Sequence, residues 1–139
     1  MLIGEFHHSM DLKGRIMVPA RFRDDLGASF IVTKGIDGCL FGYSLSQWSI
    51  LEEKIKEMPL STGRDLQRFF FSSAIPAEPD KQGRVLISQE LRDYASLNKD
   101  VIIIGVSGRI EIWNEEKWLK KSEQLSDEKI IEAMDKMGF

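Results

Sequence analysis

Two five-residue segments of this 139-residue chain carry the same chemical groups in the same order. Segment 11–15 reads DLKGR and segment 80–84 reads DKQGR, so each has Asp, two variable residues, Gly and Arg. A carboxylate four residues before a guanidinium can form an ion pair that braces a turn, although an exposed pair contributes only about 0–1 kcal/mol. The same Arg can present its planar donors to a phosphate or to a guanine edge. The residues alone leave both roles open.

Longer segments around these two turns also align, which indicates an internal repeat. Residues 10–26 align with 79–95, and residues 30–48 align with 100–118 after a one-residue shift. Two glycines and one tryptophan match in the second alignment. Repetition on this scale predicts two copies of one structural unit that pack against each other.

Each repeat predicts the same local order of elements. The apolar segments RIMV and RVLI, at 15–18 and 84–87, are typical of short buried strands. Gly14 and Gly83 precede them and predict a positive φ in a tight loop, where the Asp carboxylate can accept hydrogen bonds from the following amides. A short helix, two more strands and a second helix complete each repeat.

Polar residues and prolines predict where the helices begin. Pro19 is expected at the start of the first helix and Ser88 at the N-cap of its counterpart. The expected N-caps of the later helices are Ser44 or Ser46, Ser61 or Thr62, and Asn114. The phenylalanines at 69–71 are too apolar for an exposed loop, so we expect them in the shared core or in a subunit contact. The segment after Ser126 predicts an amphipathic helix that serves packing or a subunit contact.

The charge distribution permits an anionic partner without requiring one. The chain has a formal net charge of −3, which taken alone disfavours nucleic acid. Residues 11–23 carry four basic side chains and one acidic side chain, whereas residues 80–93 carry three of each. From residue 111 to the end there are eight acidic and five basic residues, so the acidic surplus lies in the C-terminal segment. A locally basic N-terminal segment is therefore expected opposite an acidic tail.

The sequence shows no group of residues with the arrangement that catalysis or metal binding requires. His7 and His8 are adjacent and would point to opposite faces of a strand, and the single cysteine, Cys39, lies in an apolar segment without a partner histidine at motif spacing. The sequence contains no nucleophile elbow, Walker loop or dinucleotide-binding glycine motif. We therefore expect no catalytic residue, no metal site, no cofactor and no small-molecule substrate, and a protein that is not an enzyme.

The chain has no apolar stretch near the ~20 residues of a membrane helix, and its first residues do not resemble a signal peptide. We expect no membrane partner and a cytoplasmic location.

The pattern D-x-x-G-R-I-x-V-P-x-x-F-R-x-x-L-G across residues 11–27 resembles the swapped-hairpin motif of AbrB-type transcription factors. Two copies of the DxxxR signature, Asp11 with Arg15 and Asp80 with Arg84, resemble the MraZ family. This resemblance implies an α+β, β-rich fold with pseudo-two-fold symmetry. Its two halves would exchange hairpins and form an intertwined barrel with flanking helices. The second copy departs from the pattern of the first in having serine in place of proline after its strand.

The resemblance also implies a domain organisation. It places SpoVT-AbrB-like repeats at 5–47 and 76–119, intertwined as one unit, with a connecting segment at 59–69 and a C-terminal helix at 120–139.

The function implied by the resemblance is sequence-specific regulation of transcription. Members of the family bind double-stranded DNA repeats upstream of the division and cell-wall gene cluster, assemble into homo-oligomeric rings and associate with the nucleoid. The residues expected to contact DNA are the basic residues of the two motifs: Lys13, Arg15, Arg21, Arg23, Lys81 and Arg84. We expect Arg15 to contribute most, because the second motif is electrically neutral. The alternative is an AbrB-like or antitoxin-like interaction module whose main partner is another protein.

Overall fold

The computed structural model describes all 139 residues and has a mixed α+β architecture. The first half contains β1 (Leu2–Ser9), β2 (Arg15–Met17), α1 (Ala20–Leu26), β3 (Phe30–Lys34), β4 (Leu40–Ser44), α2 (Leu45–Lys56) and α3 (Leu60–Phe71). The second half contains β5 (Ile75–Ala77), β6 (Arg84–Leu86), α4 (Gln89–Tyr94), β7 (Asp100–Ser107), β8 (Ile110–Asn114), α5 (Glu115–Glu123) and α6 (Asp127–Met137). The same order of elements therefore occurs twice, as the alignment of the two segments predicted.

The strands connect the two halves at several places. Six of them form an antiparallel sheet in the order β1-β7-β8-β4-β3-β5, and β2 pairs with β6 in a separate two-stranded ribbon. In the large sheet β1 pairs with β7 of the second half, from Leu2 opposite Ser107 to Ser9 opposite Asp100. At the other end β5 pairs with β3 of the first half. Each half thus gives its first strand to the other half, so the complete six-stranded sheet requires both halves.

The structure shows no closed barrel, in contrast to the intertwined barrel implied by the family resemblance. Strands β1 and β5 each have a single neighbour, so the six-stranded sheet has two free edges. The strand order explains this difference, because β8 and β4 pair at the centre and place the exchanged strands at opposite ends.

The first face of the sheet packs against the ribbon and the short helices α1 and α4. Ile16 and Val85 of the ribbon, Phe22 of α1 and Leu91 of α4 all belong to the larger apolar core and are fully buried. Side chains alternate between the two faces of a strand, so the neighbours of Ile16 and Val85 lie on the outer face of the ribbon. That outer face carries the side chains of both DxxxR arginines.

The second face of the sheet packs against α2, α3 and α5. Phe70 of α3 is buried and stacks on Phe41 of β4 with ring centroids 6.5 Å apart, while Phe69 and Phe71 are partly buried in the same cluster. The run of phenylalanines therefore contributes to the shared core. Helix α3 is longer than the sequence suggested, because it begins after an N-cap at Pro59 and includes Ser61 and Thr62 in its first turn.

Side-chain caps hold the starts of α2, α4 and α5 at positions that the sequence predicted, whereas α1 begins after Pro19 without a side-chain cap. Ser44, Ser88 and Asn114 each accept a hydrogen bond from the backbone amide three residues ahead, at 3.3, 3.3 and 3.0 Å. Such caps satisfy one of the amides that a helix start leaves unpaired.

The last helix, α6, has no buried residue. It exposes an apolar stripe made of Ile130, Ile131, Met134 and Met137. Helix α3 occupies the corresponding place in the first half and is packed on the sheet, whereas α6 has no such partner within the chain. None of the helices is long and apolar enough to span a bilayer.

Candidate nucleic-acid interface

The first DxxxR segment is a tight turn organised by one carboxylate. Oδ1 of Asp11 accepts hydrogen bonds from the backbone amides of Lys13 and Arg15, both at 2.9 Å, and its Oδ2 accepts one from Nε of Arg15 at 2.7 Å. The amide of Gly14 donates to the carbonyl of Asp11 at 3.0 Å. Gly14 has φ of +85°, which is the left-handed conformation that the sequence predicted at this position.

The second DxxxR segment repeats this geometry. Oδ1 of Asp80 accepts from the amides of Gln82 and Arg84 at 2.9 Å, and its Oδ2 accepts from Nε of Arg84 at 3.2 Å. Gly83 has φ of +83°. Both ion pairs considered from the sequence are therefore present, and each fixes the direction of its arginine.

The turn hydrogen bonds also change the acidity of the two carboxyl groups. The pKa of Asp11 lies below its ordinary value, chiefly because the backbone amide of Arg15 donates to the charged form. The pKa of Asp80 is lowered in the same way by the backbone amide of Arg84. Both carboxylates remain charged at neutral pH and continue to hold their arginines.

The β2–β6 ribbon brings the two turns together on one face. Arg15 lies opposite Leu86 and Met17 lies opposite Arg84, so the two arginines are diagonal neighbours on the outer side of the ribbon. Nη1 of Arg84 is 3.8 Å from Oδ2 of Asp11, which links the second turn to the first. Two segments that are far apart in the sequence thus form one surface.

Arg15 and Arg84 keep donor groups for a ligand. Each is hydrogen-bonded to its own aspartate through Nε, and each side chain is 29% exposed. The terminal nitrogens of Arg15 have no hydrogen bond within the chain, so its fork can donate to a phosphate or to a guanine edge while Nε remains on Asp11. Lys13 and Lys81 are exposed beside these arginines and add two positive charges.

The remaining predicted contact residues lie elsewhere. Arg21 is exposed on α1, with its guanidinium near Gly4 of β1. The side chain of Arg23 crosses to the other half, where it packs against Gly83, and its Nε donates to the carbonyl of Val18 at 3.0 Å. Arg23 therefore supports the second turn from below, and only part of its side chain is exposed.

Sequence reasoning missed Arg92, which occupies the equivalent place in the second repeat. Its guanidinium packs against Gly14, so a Cβ added to Gly14 would lie 2.6 Å from Cζ of Arg92. Each turn is thus supported by the arginine of the opposite half. The alignment of Arg23 with Arg92 in the two repeats was the signal that could have identified the pair.

Elsewhere in the chain, no group of three or more histidine, cysteine, aspartate or glutamate side chains is arranged to hold a metal ion. Cys39 is fully buried, and burial raises the pKa of its thiol to about 12. The surface with the clearest chemical capacity is therefore the outer face of the ribbon.

Comparisons with known proteins agree with this organisation. The family described as "MraZ protein, putative antitoxin-like" matches residues 1–68 and again residues 70–137. A protein named transcriptional regulator MraZ from Caldicellulosiruptor saccharolyticus is 55% identical over an alignment of 143 positions that covers both chains completely. Proteins of the same name from Clostridium acetobutylicum and Acetivibrio thermocellus are each 52% identical, again over the full length of both chains. Because the family matches nearly all residues and the relatives align from end to end, the chain belongs to the MraZ family.

Proposed function

We propose that this chain is a sequence-specific DNA-binding regulator of transcription, and not an enzyme, and that the outer face of the β2–β6 ribbon is its DNA contact. The observation that carries the proposal is the meeting of the two DxxxR turns, where Arg15 and Arg84 are oriented by Asp11 and Asp80. The names of its close relatives as transcriptional regulators support the same conclusion.

The structure also supports an unequal contribution of the two turns to DNA affinity. Each turn has an exposed lysine, but the terminal nitrogens of Arg15 are free, whereas Arg84 lies between two carboxylates, at 3.2 Å from Asp80 and 3.8 Å from Asp11. Moving Arg84 toward DNA would weaken two favourable interactions, so we propose that Arg15 contributes more to affinity. Lys81, Arg21 and Arg23 are proposed as supporting contacts.

We propose further that the chain works as a homo-oligomeric ring that binds repeats upstream of the division and cell-wall gene cluster, in the cytoplasm and associated with the nucleoid. A net charge of −3 per chain means that affinity must come from one local basic face presented several times. The exposed apolar stripe of α6 supplies a surface for subunit contacts. The strand exchange between halves fits the swapped-hairpin arrangement of AbrB-type regulators written into one chain, with repeats at 5–47 and 76–119.

Fluorescence anisotropy with labelled DNA from directly upstream of the gene tests the DNA contact. Arg15→Ala should weaken binding by about 1–3 kcal/mol if the side chain reads a base, and should reduce the salt slope by about one phosphate if it contacts the backbone. Arg84→Ala should weaken DNA binding by less than Arg15→Ala does. Arg64→Ala is the matched control, because Arg64 is exposed on α3 and away from the ribbon.

The same experiment separates the proposal from the interaction-module alternative, which the antitoxin-like description of the family also fits. If Arg15→Ala lowers the melting temperature but the folded variant binds DNA like wild type, the Asp–Arg pairs only brace the turns. Absence of binding by the wild-type chain would favour a protein partner.

Light scattering tests the ring. The double variant Ile131→Glu and Met134→Glu should dissociate the assembly without unfolding the chain, because both side chains are exposed in the single subunit. A monomeric wild-type chain at micromolar concentration would refute this part of the proposal.

A further inference from the structure

A hollow of about 630 Å³ lies beside the first turn, and both halves of the chain form its walls. It is lined by Met10, Asp11, Leu12, Arg92, Asn98 and Lys99. The amide of Met10 donates to the carbonyl of Lys99 at 2.8 Å, so the backbone ties the two walls together. The hollow therefore has a fixed frame that opens next to the proposed DNA face.

Arg92 is the unusual side chain of this hollow. Its Nε is buried without a hydrogen-bond acceptor and is the one buried side-chain nitrogen or oxygen of the chain in that state. The guanidinium packs flat against Gly14 and takes part in no ion pair. A partly buried guanidinium without an ion pair is costly, so an anion that binds the part of Arg92 lining the hollow would offset this cost.

In the pseudo-equivalent hollow of the other half, Nε of the arginine has a hydrogen-bond partner. That hollow measures about 380 Å³ and is lined by Arg23, Asp24, Gly27, Ala28 and Pro79. Nε of Arg23 donates to the carbonyl of Val18, and Asp24 is another residue of the lining. Lys99 and Asn98 have no charged or amide counterpart there, because the aligned residues are Ser29 and Ala28.

We propose that the hollow at Arg92 binds an oxyanion of the phosphate type. The guanidinium of Arg92 would provide a fork of donors, the ammonium of Lys99 a second positive charge and the amide of Asn98 a neutral donor. Asp11 also lines the hollow, but its oxygens already accept hydrogen bonds from Lys13 and Arg15. Its charge is therefore compensated within the turn and does not exclude an anion.

Two sources of such a phosphate are compatible with the position of the hollow. One is a phosphate of the DNA backbone, and this version rests on the proposed function. The other is a free phosphate or a small phosphorylated molecule that would bind beside the turn and alter its use. The chemistry of recognition is the same in both cases, so the experiment has one arm for each source.

The first arm measures inorganic phosphate binding to the full chain by titration calorimetry at constant ionic strength. Wild type should bind, and Lys99→Gln should weaken the affinity by about fivefold or more. Arg92→Gln should weaken it further. Lys54→Gln is the control, because Lys54 is an exposed lysine of α2 without an ion pair. Since Lys99 is exposed, its variant keeps the test valid even if Arg92→Gln fails to fold.

The second arm measures the salt dependence of DNA binding with the same variants. A slope reduced by about one in Lys99→Gln, but not in Lys54→Gln, identifies a DNA phosphate as the occupant. An unchanged slope together with phosphate binding identifies a free phosphate. The proposal is overturned if phosphate binding is absent or equal in all variants and the slope is unchanged. If wild type fails to bind DNA, the proposed function fails, and the first arm alone decides the phosphate site.

Discussion

Replacing the turn glycines by alanine should destabilise the chain in a defined order. At Gly14, φ of +85° places an alanine in the left-handed region, which costs about 1–2 kcal/mol. The new Cβ would also lie 2.6 Å from Cζ of Arg92, so the guanidinium must move aside. A more restricted unfolded chain offsets about 0.4–1 kcal/mol of this cost. The expected net loss for Gly14→Ala is about 1 kcal/mol.

Gly83→Ala should reduce the free energy of unfolding more than Gly14→Ala does, because the arginine beneath Gly83 has a hydrogen bond to lose and the arginine beneath Gly14 has none. The new Cβ would lie 2.5 Å from Cζ of Arg23, and Arg23 is held by its hydrogen bond to Val18. Moving Arg23 adds the loss of that bond, about 0.5–1.5 kcal/mol. Arg92 has no comparable bond to lose. The expected net loss for Gly83→Ala is therefore about 2 kcal/mol.

Thermal unfolding followed by circular dichroism checks this order at a fixed protein concentration. For a chain of this size the losses correspond to decreases in Tm of roughly 3–5 °C for Gly14→Ala and roughly 6–10 °C for Gly83→Ala. Gly108→Ala is the control, because a Cβ there meets no atom within 4 Å and φ is not left-handed. Equal Tm values for all three variants, or a larger loss at Gly14 than at Gly83, would refute the reasoning about the crossed arginines.

Three further predictions concern the cores and the turn. Phe70→Ala should cost about 3–5 kcal/mol in denaturant unfolding, because Phe70 is 8% exposed and stacks on other aromatic rings, whereas Phe139→Ala at the exposed C terminus should change stability by less than about 0.5 kcal/mol. Cys39 should react with iodoacetamide at pH 8 far more slowly in the native chain than in urea, since its pKa is raised to about 12; equal rates would contradict its burial. Because the pKa of Asp11 is lowered by folding, the charged carboxylate stabilises the folded chain fully above the ordinary pKa of 3.8. This stabilisation is lost as the pH falls through the lowered pKa. The Tm difference between wild type and Asp11→Asn should therefore narrow only below about pH 3.8, and a difference independent of pH in that range would argue against the turn geometry.

Local features of this fold could be predicted from the sequence because they depend on neighbouring residues. The positive φ of Gly14 and Gly83, the amide hydrogen bonds of the aspartates and the N-caps at Ser88 and Asn114 all follow from side chains within four residues. The order of elements in the two halves followed from the alignment of the repeats.

Features that depend on the pairing of distant segments were not predictable in the same way. The open sheet results from the central pairing of β4 with β8, and no local pattern distinguishes this order from a closed one. The start of α3 after Pro59 was missed because Ser61 and Thr62 are residue types preferred at N-caps, whereas Pro59 makes no side-chain cap hydrogen bond. The crossing of Arg23 to Gly83 and of Arg92 to Gly14 depends on the ribbon, whose central pair, Ile16 and Val85, is 69 positions apart in the chain.

Joining two copies of the turn in one polypeptide allows them to differ, which two identical subunits around a two-fold axis cannot do. The ribbon places both copies on one face, but the interactions across it are not reciprocal: Arg84 approaches Asp11 at 3.8 Å, while Arg15 makes no ion pair with Asp80. The same asymmetry appears beneath the turns, where Arg23 is hydrogen-bonded and Nε of Arg92 is not. The arginines at the second turn therefore have more partners within the chain. The unpaired arginine nitrogens lie at the first turn and beneath it. As the proposed DNA contact, a surface built in this way would bind the two halves of a DNA site with unequal strength, because the face that the ribbon presents is not symmetric in charge or in available donors.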